Sequence, residues 1–189
     1  MRTPDNSPVT LSHATIPVGS ALRVVPTFVA TTVDDGPVQT AIEARFHADA
    51  GRYLVAAVTN RASEDRGEIT GTVLRTVRIA EIMQAATPHC IAIESDAGAS
   101  TVGELTTRQD AILPPEYAKL ARRLGPKQDT LELVRLVYGV AALTGRPPTK
   151  AVEDEFSIPR RTAIHWISKT RDAGLLDGIS YAVGRQADG

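Results

Sequence analysis

Cysteine is nearly absent from this 189-residue chain, Cys90 being the only one. A single thiol excludes an internal disulfide and any multi-cysteine zinc site. Cys90 stands next to His89, but neighbours on an extended strand point to opposite faces, so the adjacency does not make a catalytic pair. Its expected role is that of a small buried hydrophobe. Aromatic residues make up only 4% of the chain, so a core has to be built from Val, Leu, Ile and Ala. Lysine occurs only at 119, 127, 150 and 169, and the remaining positive charge is arginine. No apolar run approaches the length needed to cross a membrane. The opening MRTPDNSPVTLSH lacks the basic-then-apolar layout of a secretion signal. The expectation is a soluble, cytoplasmic protein with no membrane partner.

Catalytic arrangements are missing as well. The four histidines, at 13, 47, 89 and 165, show no metal-ligand spacing, so neither a metal nor a cofactor is expected. VGEL at 102–105 lacks the lysine of a phosphate-binding loop. Asp34–Asp35 and Glu64–Asp65 sit in polar, turn-like stretches where solvation accounts for them. A non-enzymatic protein is expected.

What the chain does have is an uneven distribution of charge. Its net charge of −1 argues at first against a nucleic-acid binder. Residues 1–111, however, hold nine basic and thirteen acidic residues, a net −4, and residues 112–189 hold twelve and nine, a net +3. Any anionic partner should therefore meet the second part.

The pattern of residues divides along the same line. Residues 1–20 are rich in Pro, Ser and Thr and read as a flexible segment. In ALRVVPTFVATT, β-branched residues favour a strand that Pro26 confines to an edge or breaks. QTAIEARF and RYLVAAVT flank HADAG as a β-hairpin. EITGTVLRTV reads as a further strand, RIAEIMQAA as a helix, and CIAIE as a return to the sheet. The Gly/Ser/Thr-rich passage at 97–113 reads as a linker. Beyond it the chain is helical, and Asp129 with Glu132 has the spacing of a capping box. The expected fold is α+β. It comprises a small N-terminal β-rich domain with one helix (21–96) and a C-terminal all-helical helix-turn-helix domain (114–176), then a tail (177–189).

The helix-turn-helix expectation rests on FSIPRRTAIHWISKTRDAGLL, residues 156–176. Two helices separated only by Ser157, Ile158 and Pro159 must cross steeply. Val152 and Phe156 supply the inward residues of the first helix; Ala163, Trp166, Ile167 and Thr170 form the inward stripe of the second. At roughly 100° per residue, Arg161, Ile164, His165 and Ser168 fall on the opposite face, flanked by Arg160, Thr162 and Lys169. A helix start favours negative charge, so Arg160 and Arg161 at that end make sense if an anion normally occupies it. In helix-turn-helix docking this part of the second helix enters the major groove.

The stretch GRPPTKAVEDEFSIPRRTAIHWISKTRDAGLL resembles the helix-turn-helix segment of small DNA-binding regulators of actinobacteria and their phages and plasmids. The resemblance rests on Gly-Arg-Pro before the first helix, Phe before the turn, Thr-Ala, Trp-Ile and a closing Gly-Leu-Leu. A weaker likeness in FHADAGRYLVAAVT and EITGTVLRTVRIAEI extends it to residues 41–87 as well as 116–176. It implies sequence-specific binding of double-stranded DNA in transcriptional regulation or mobile-element control, without identifying an operator. A homodimer on paired half-sites is the usual arrangement of such motifs. Three positions depart from the pattern: Ser157 where glycine is usual, Glu153 in place of a small residue, and Pro159 in place of a capping Ser or Thr. The competing reading is a non-enzymatic adaptor or antitoxin-like module that works through its N-terminal sheet.

Overall fold

A computed structural model describes residues 1–19, 21–32, 38–62, 68–95, 98–109, 111–179 and 181. The polar stretches holding Asp34–Asp35 and Glu64–Asp65 and the tail from residue 182 lie outside the described residues.

Pro26, with no N–H to donate, divides what reads as one strand into two that join different sheets. Strands β1 (Ile16–Val18), β2 (Leu22–Val24), β6 (Ile91–Ser95) and β7 (Gly98–Thr101) form an antiparallel sheet in the order β1-β2-β6-β7. Strands β3 (Thr27–Thr31), β4 (Val38–His47) and β5 (Arg52–Ala62) form an antiparallel meander, with β4 and β5 making the expected hairpin. Tyr53 pins the junction of the two sheets: its buried hydroxyl donates to the Val25 carbonyl at 2.7 Å and reaches the Cys90 carbonyl at 3.3 Å. The Tyr53 ring also packs edge-on to Phe28 and Phe46, with centroids 5.0 and 5.6 Å away.

The helices are α1 (Gly71–Leu74), α2 (Ile79–Ala86), α3 (Val102–Gln109), α4 (Pro115–Leu124), α5 (Gln128–Leu143), α6 (Pro148–Phe156) and α7 (Arg160–Asp172). This overturns the expected division into a one-helix β domain and an all-helical domain. Two sheets and three helices precede α4, and buried residues from Ala14 to Ile179 belong to one continuous core.

Local hydrogen bonding explains the misread elements. Thr70 accepts from the Val73 N–H at 3.3 Å, so EITGTVLRTV, rich in β-branched residues, starts a helical turn at α1 instead of a strand. In the passage read as a linker, the Thr101 hydroxyl accepts from the Glu104 N–H at 3.1 Å. The Glu104 carboxylate in turn accepts from the Thr101 N–H at 2.9 Å. That reciprocal pair is a capping box, and it starts α3. No such box forms at Asp129: α5 begins at Gln128 after Lys127, without a side-chain cap, and Glu132 pairs with Arg135 at 2.8 Å. The opening segment, expected to be flexible, is paired to β3 through Arg2 and Val29, whose N–H groups donate to each other's carbonyls at 2.9 and 2.7 Å.

The later helices pack around α5. From Val137 to Leu143 every residue of α5 is buried, so the second half of this helix is covered on all sides rather than lying on a surface. Gly139 makes that possible on one flank, since a Cβ there would come within 2.9 Å of the Leu22 side chain on β2. Helices α5, α6 and α7 each touch the other two. A further tie runs from α6 to the segment before α4: the half-buried Glu155 carboxylate accepts from the Leu113 N–H at 2.6 Å.

Burial raises the Glu155 carboxyl above its ordinary value of 4.5, against the opposing pull of the Leu113 and Ile112 N–H groups and the Arg146 charge. The folded state therefore holds this proton more tightly than the unfolded chain. Its contribution to stability is full below pH 4.5 and is lost as pH rises through the raised pKa. Glu155→Gln keeps an acceptor for Leu113 and removes the titration. Thermal melts of both proteins from pH 7 to pH 4 should show the wild type gaining stability relative to the glutamine variant as pH falls. Glu155→Ala, which leaves the Leu113 N–H without its acceptor, should cost about 1–3 kcal/mol.

Candidate nucleic-acid interface

The turn between α6 and α7 is built by the backbone. The Ile158 N–H donates to the Glu153 carbonyl and the Ser157 N–H to the Asp154 carbonyl, both at 3.1 Å. This double bond pattern closes a helix through a left-handed residue, a position glycine usually fills. Here Ser157 fills it, at φ 48° and ψ 50°. Gly145 and Gly174, at φ 71° and 72°, close α5 and α7 with the same pair of bonds. Only Asn6 joins Ser157 among the described non-glycine residues at positive φ.

Ile158 tucks into the core behind the turn, and Phe156 meets Trp166 edge-on with centroids 5.5 Å apart. Ala163, Trp166, Ile167 and Thr170 are all buried, as their spacing predicts, and the Thr170 hydroxyl is satisfied by the Trp166 carbonyl at 2.8 Å. Trp166 is thus a core residue. Ala163 is fully buried, the small side chain that allows α7 to lie close to its neighbours.

The opposite face of α7 is open. Arg160, Arg161, Ile164, His165, Ser168 and Lys169 are exposed, and Thr162 is half-buried. Ile164 is 51% exposed in the middle of this polar surface. Among the described residues, none of Arg160, Arg161, His165, Lys169 or Arg171 lies within 4.0 Å of a carboxylate. Helix α6 contrasts with this, since Lys150 pairs with Asp154 at 2.7 Å and Glu153 at 3.7 Å. The charge of α6 is answered by its own helix and that of α7 is not. At the start of α7, Pro159 supplies no side-chain cap and the first turn carries no acid, so its leading N–H groups are left for another acceptor.

Sequence reasoning left out Arg171, an exposed cation seven residues after Ile164 and therefore on its side of the helix. The signal was that spacing. Arg122 and Arg123 are exposed at the end of α4, away from the core.

Other chemistry finds less support in the geometry. Cys90 is 1% exposed, and burial pushes its thiol up to about 12, so it is neither ionised nor accessible at neutral pH. Among the described residues, no three His, Cys, Asp or Glu side chains are grouped to hold a metal ion. Comparisons with protein-family models, curated proteins and solved structures returned no match.

The left-handed conformation costs a residue with a Cβ about 1–2 kcal/mol, whereas glycine loses about 0.4–1 kcal/mol through the greater freedom of its unfolded chain. Ser157→Gly should therefore raise stability by about 0.5–1 kcal/mol, and Ser157→Val should lower it by more than 1 kcal/mol, as read from denaturant midpoints.

Proposed function

We propose that this protein binds double-stranded DNA sequence-specifically through α7, as a cytoplasmic regulator of transcription or of a mobile element. The observation that carries this reading is the uncompensated basic face of α7, set behind a three-residue turn against α6. An ordinary solvated helix mixes charges of both signs, as α6 does. On α7 the first carboxylate is Asp172, in its last turn. In this reading Arg161 and His165 face base edges, Ile164 meets a thymine methyl, and Arg160, Thr162, Ser168 and Lys169 contact the backbone. Phosphate at the start of α7 offsets the two arginines there and accepts from the uncapped N–H groups. No helix among the described residues is long and apolar enough to cross a membrane.

The functional unit in this reading is a homodimer on paired half-sites. Strand β5 supports it: among the described residues it pairs with β4 alone, at the end of its sheet, and Val55 and Val58 are exposed on it. Sedimentation of the full chain should give a dimer, and the double change Val55→Lys and Val58→Lys should give a folded monomer. A monomeric wild type removes the paired-half-site reading. The same strand favours the alternative of an adaptor or antitoxin-like module, in which a strand of another protein pairs with β5. A sequence-preferring complex with duplex DNA at moderate salt decides against that alternative, and its absence decides for it.

Once a site has been selected from random duplexes, two substitutions separate reading from positioning. Arg161→Ala should cost about 1–3 kcal/mol and relax preference at one base pair. Lys169→Ala should weaken all sequences alike and reduce the salt dependence by about one charge. Titrations against matched and mismatched sites at several salt concentrations measure both effects. No loss from either variant overturns the assignment of α7.

A further inference from the structure

Between the β3-β4-β5 sheet and the segment of α1 and α2, the described residues leave a cavity of about 640 Å³. That size is within the roughly 300–1,000 Å³ that hold small organic ligands. Its sheet wall belongs to the core. Val38 and Thr40 line it from β4 and share one side of that strand with Ile42 and Ala44, both of which are fully buried. Ala30 lines it from β3 and stands opposite Ile42 in the register of the two strands. The cavity therefore continues the apolar layer that Ile42 and Ala44 fill. On the helical side Val73, Val77 and Ile82 line it, and all three are only half-buried. Ala86 is the one buried residue of α2, and α1 has none. Apolar side chains of this segment thus face space where a core residue would normally stand.

The polar groups of the wall are largely engaged with the protein itself. Strands β3 and β4 pair from Thr27 opposite Arg45 to Thr31 opposite Ala41, and the Thr32 N–H donates to the Thr40 carbonyl at 2.9 Å. The Thr40 hydroxyl donates to Asn60 at 2.8 Å, the Thr32 hydroxyl accepts from the Thr40 N–H at 3.1 Å, and the Thr76 hydroxyl donates to the Val73 carbonyl at 2.7 Å. The ionisable residues of the lining are Met1 with its terminal ammonium, Arg78, Glu81 and His89, and all four are exposed. Both signs of charge are present among them, and water screens charges in such positions, so they select little. A ligand charge carried inward would leave water without a partner in the apolar layer, a cost that an uncharged molecule does not meet.

We infer that this cavity binds a small uncharged molecule with an apolar body, aliphatic or aromatic. The ligand extends the layer formed by Ile42 and Ala44 and covers Val73, Val77 and Ile82, and the apolar surface removed from water on both partners drives the association. Sugars and nucleotides need hydrogen-bond partners along their whole length, and a wall whose strands and hydroxyls are already paired supplies few. The assignment is independent of the α7 surface, and neither depends on the other.

Isothermal titration of the full chain with 6-phenylhexan-1-ol, 6-phenylhexanoate and 6-phenylhexylammonium tests the assignment, since the three share a ring and a chain and differ in charge. The alcohol should bind saturably and at least tenfold more tightly than either ion. Val77→Trp, which places a large ring in the cavity from a half-buried position, should weaken the alcohol at least tenfold. Arg78→Gln and Glu81→Gln should each change its affinity less than tenfold. Circular dichroism checks that the variants fold, and the ranking on the wild-type chain decides the matter even if Val77→Trp does not. No saturable binding of the alcohol, or an ion that binds within tenfold of it, overturns the proposal. So does a folded Val77→Trp variant that binds the alcohol with less than a tenfold loss. A tenfold loss from Arg78→Gln or Glu81→Gln overturns it as well, since the exposed charges would then be the recognition element.

Discussion

Enclosure of α5 is the constraint on which the rest of the structure depends. A helix buried from Val137 to Leu143 on every side cannot be satisfied by one neighbour, so it gathers α4, α6 and α7 around it and also needs the β2 side chain Leu22. Each full burial of a Val or Leu is worth about 1.5–3 kcal/mol, and α5 contributes Leu131, Val134, Val137, Val140 and Leu143. Glycine in a helix interior costs up to about 1 kcal/mol against alanine. Gly139 accepts that cost because the sheet approaches there.

Fixed in this way, α5 makes a rigid platform for the two helices behind the α7 surface. Phe156 and Trp166, at 5.5 Å, lock α6 to α7. The Glu155 bond to Leu113 joins that pair to the segment leading into α4. In the β-rich part, the Tyr53 hydroxyl holds the two sheets where Pro26 parts them. Polar groups thus act at the seams, and aliphatic packing fills the space between.

How far this could be read from residues depended on how local the deciding force was. The inward stripe of α7, Ala163, Trp166, Ile167 and Thr170, follows from helical period alone, and so does the exposure of Arg161, Ile164, His165 and Ser168. The β4–β5 hairpin was equally plain, because alternation and the turn residues around Gly51 agreed. Helix α1 was missed because β-branched residues outvoted a single cap at Thr70. Helix α3 was missed although Thr101 and Glu104 stand at capping-box spacing, since the Gly/Ser/Thr composition around them read as a linker. The single core was not legible at all: nothing in the spacing of α5 tells that Leu22, more than a hundred residues earlier, lies against Gly139.

Burial of Cys90 has a practical side. The thiol is protected by the fold, and the chain has no other cysteine. A cysteine introduced at an exposed position such as Ser168 would then be the sole reactive thiol of the native protein. A fluorophore attached there reports on the surroundings of α7 alone, without background from the rest of the molecule and without first removing a native residue.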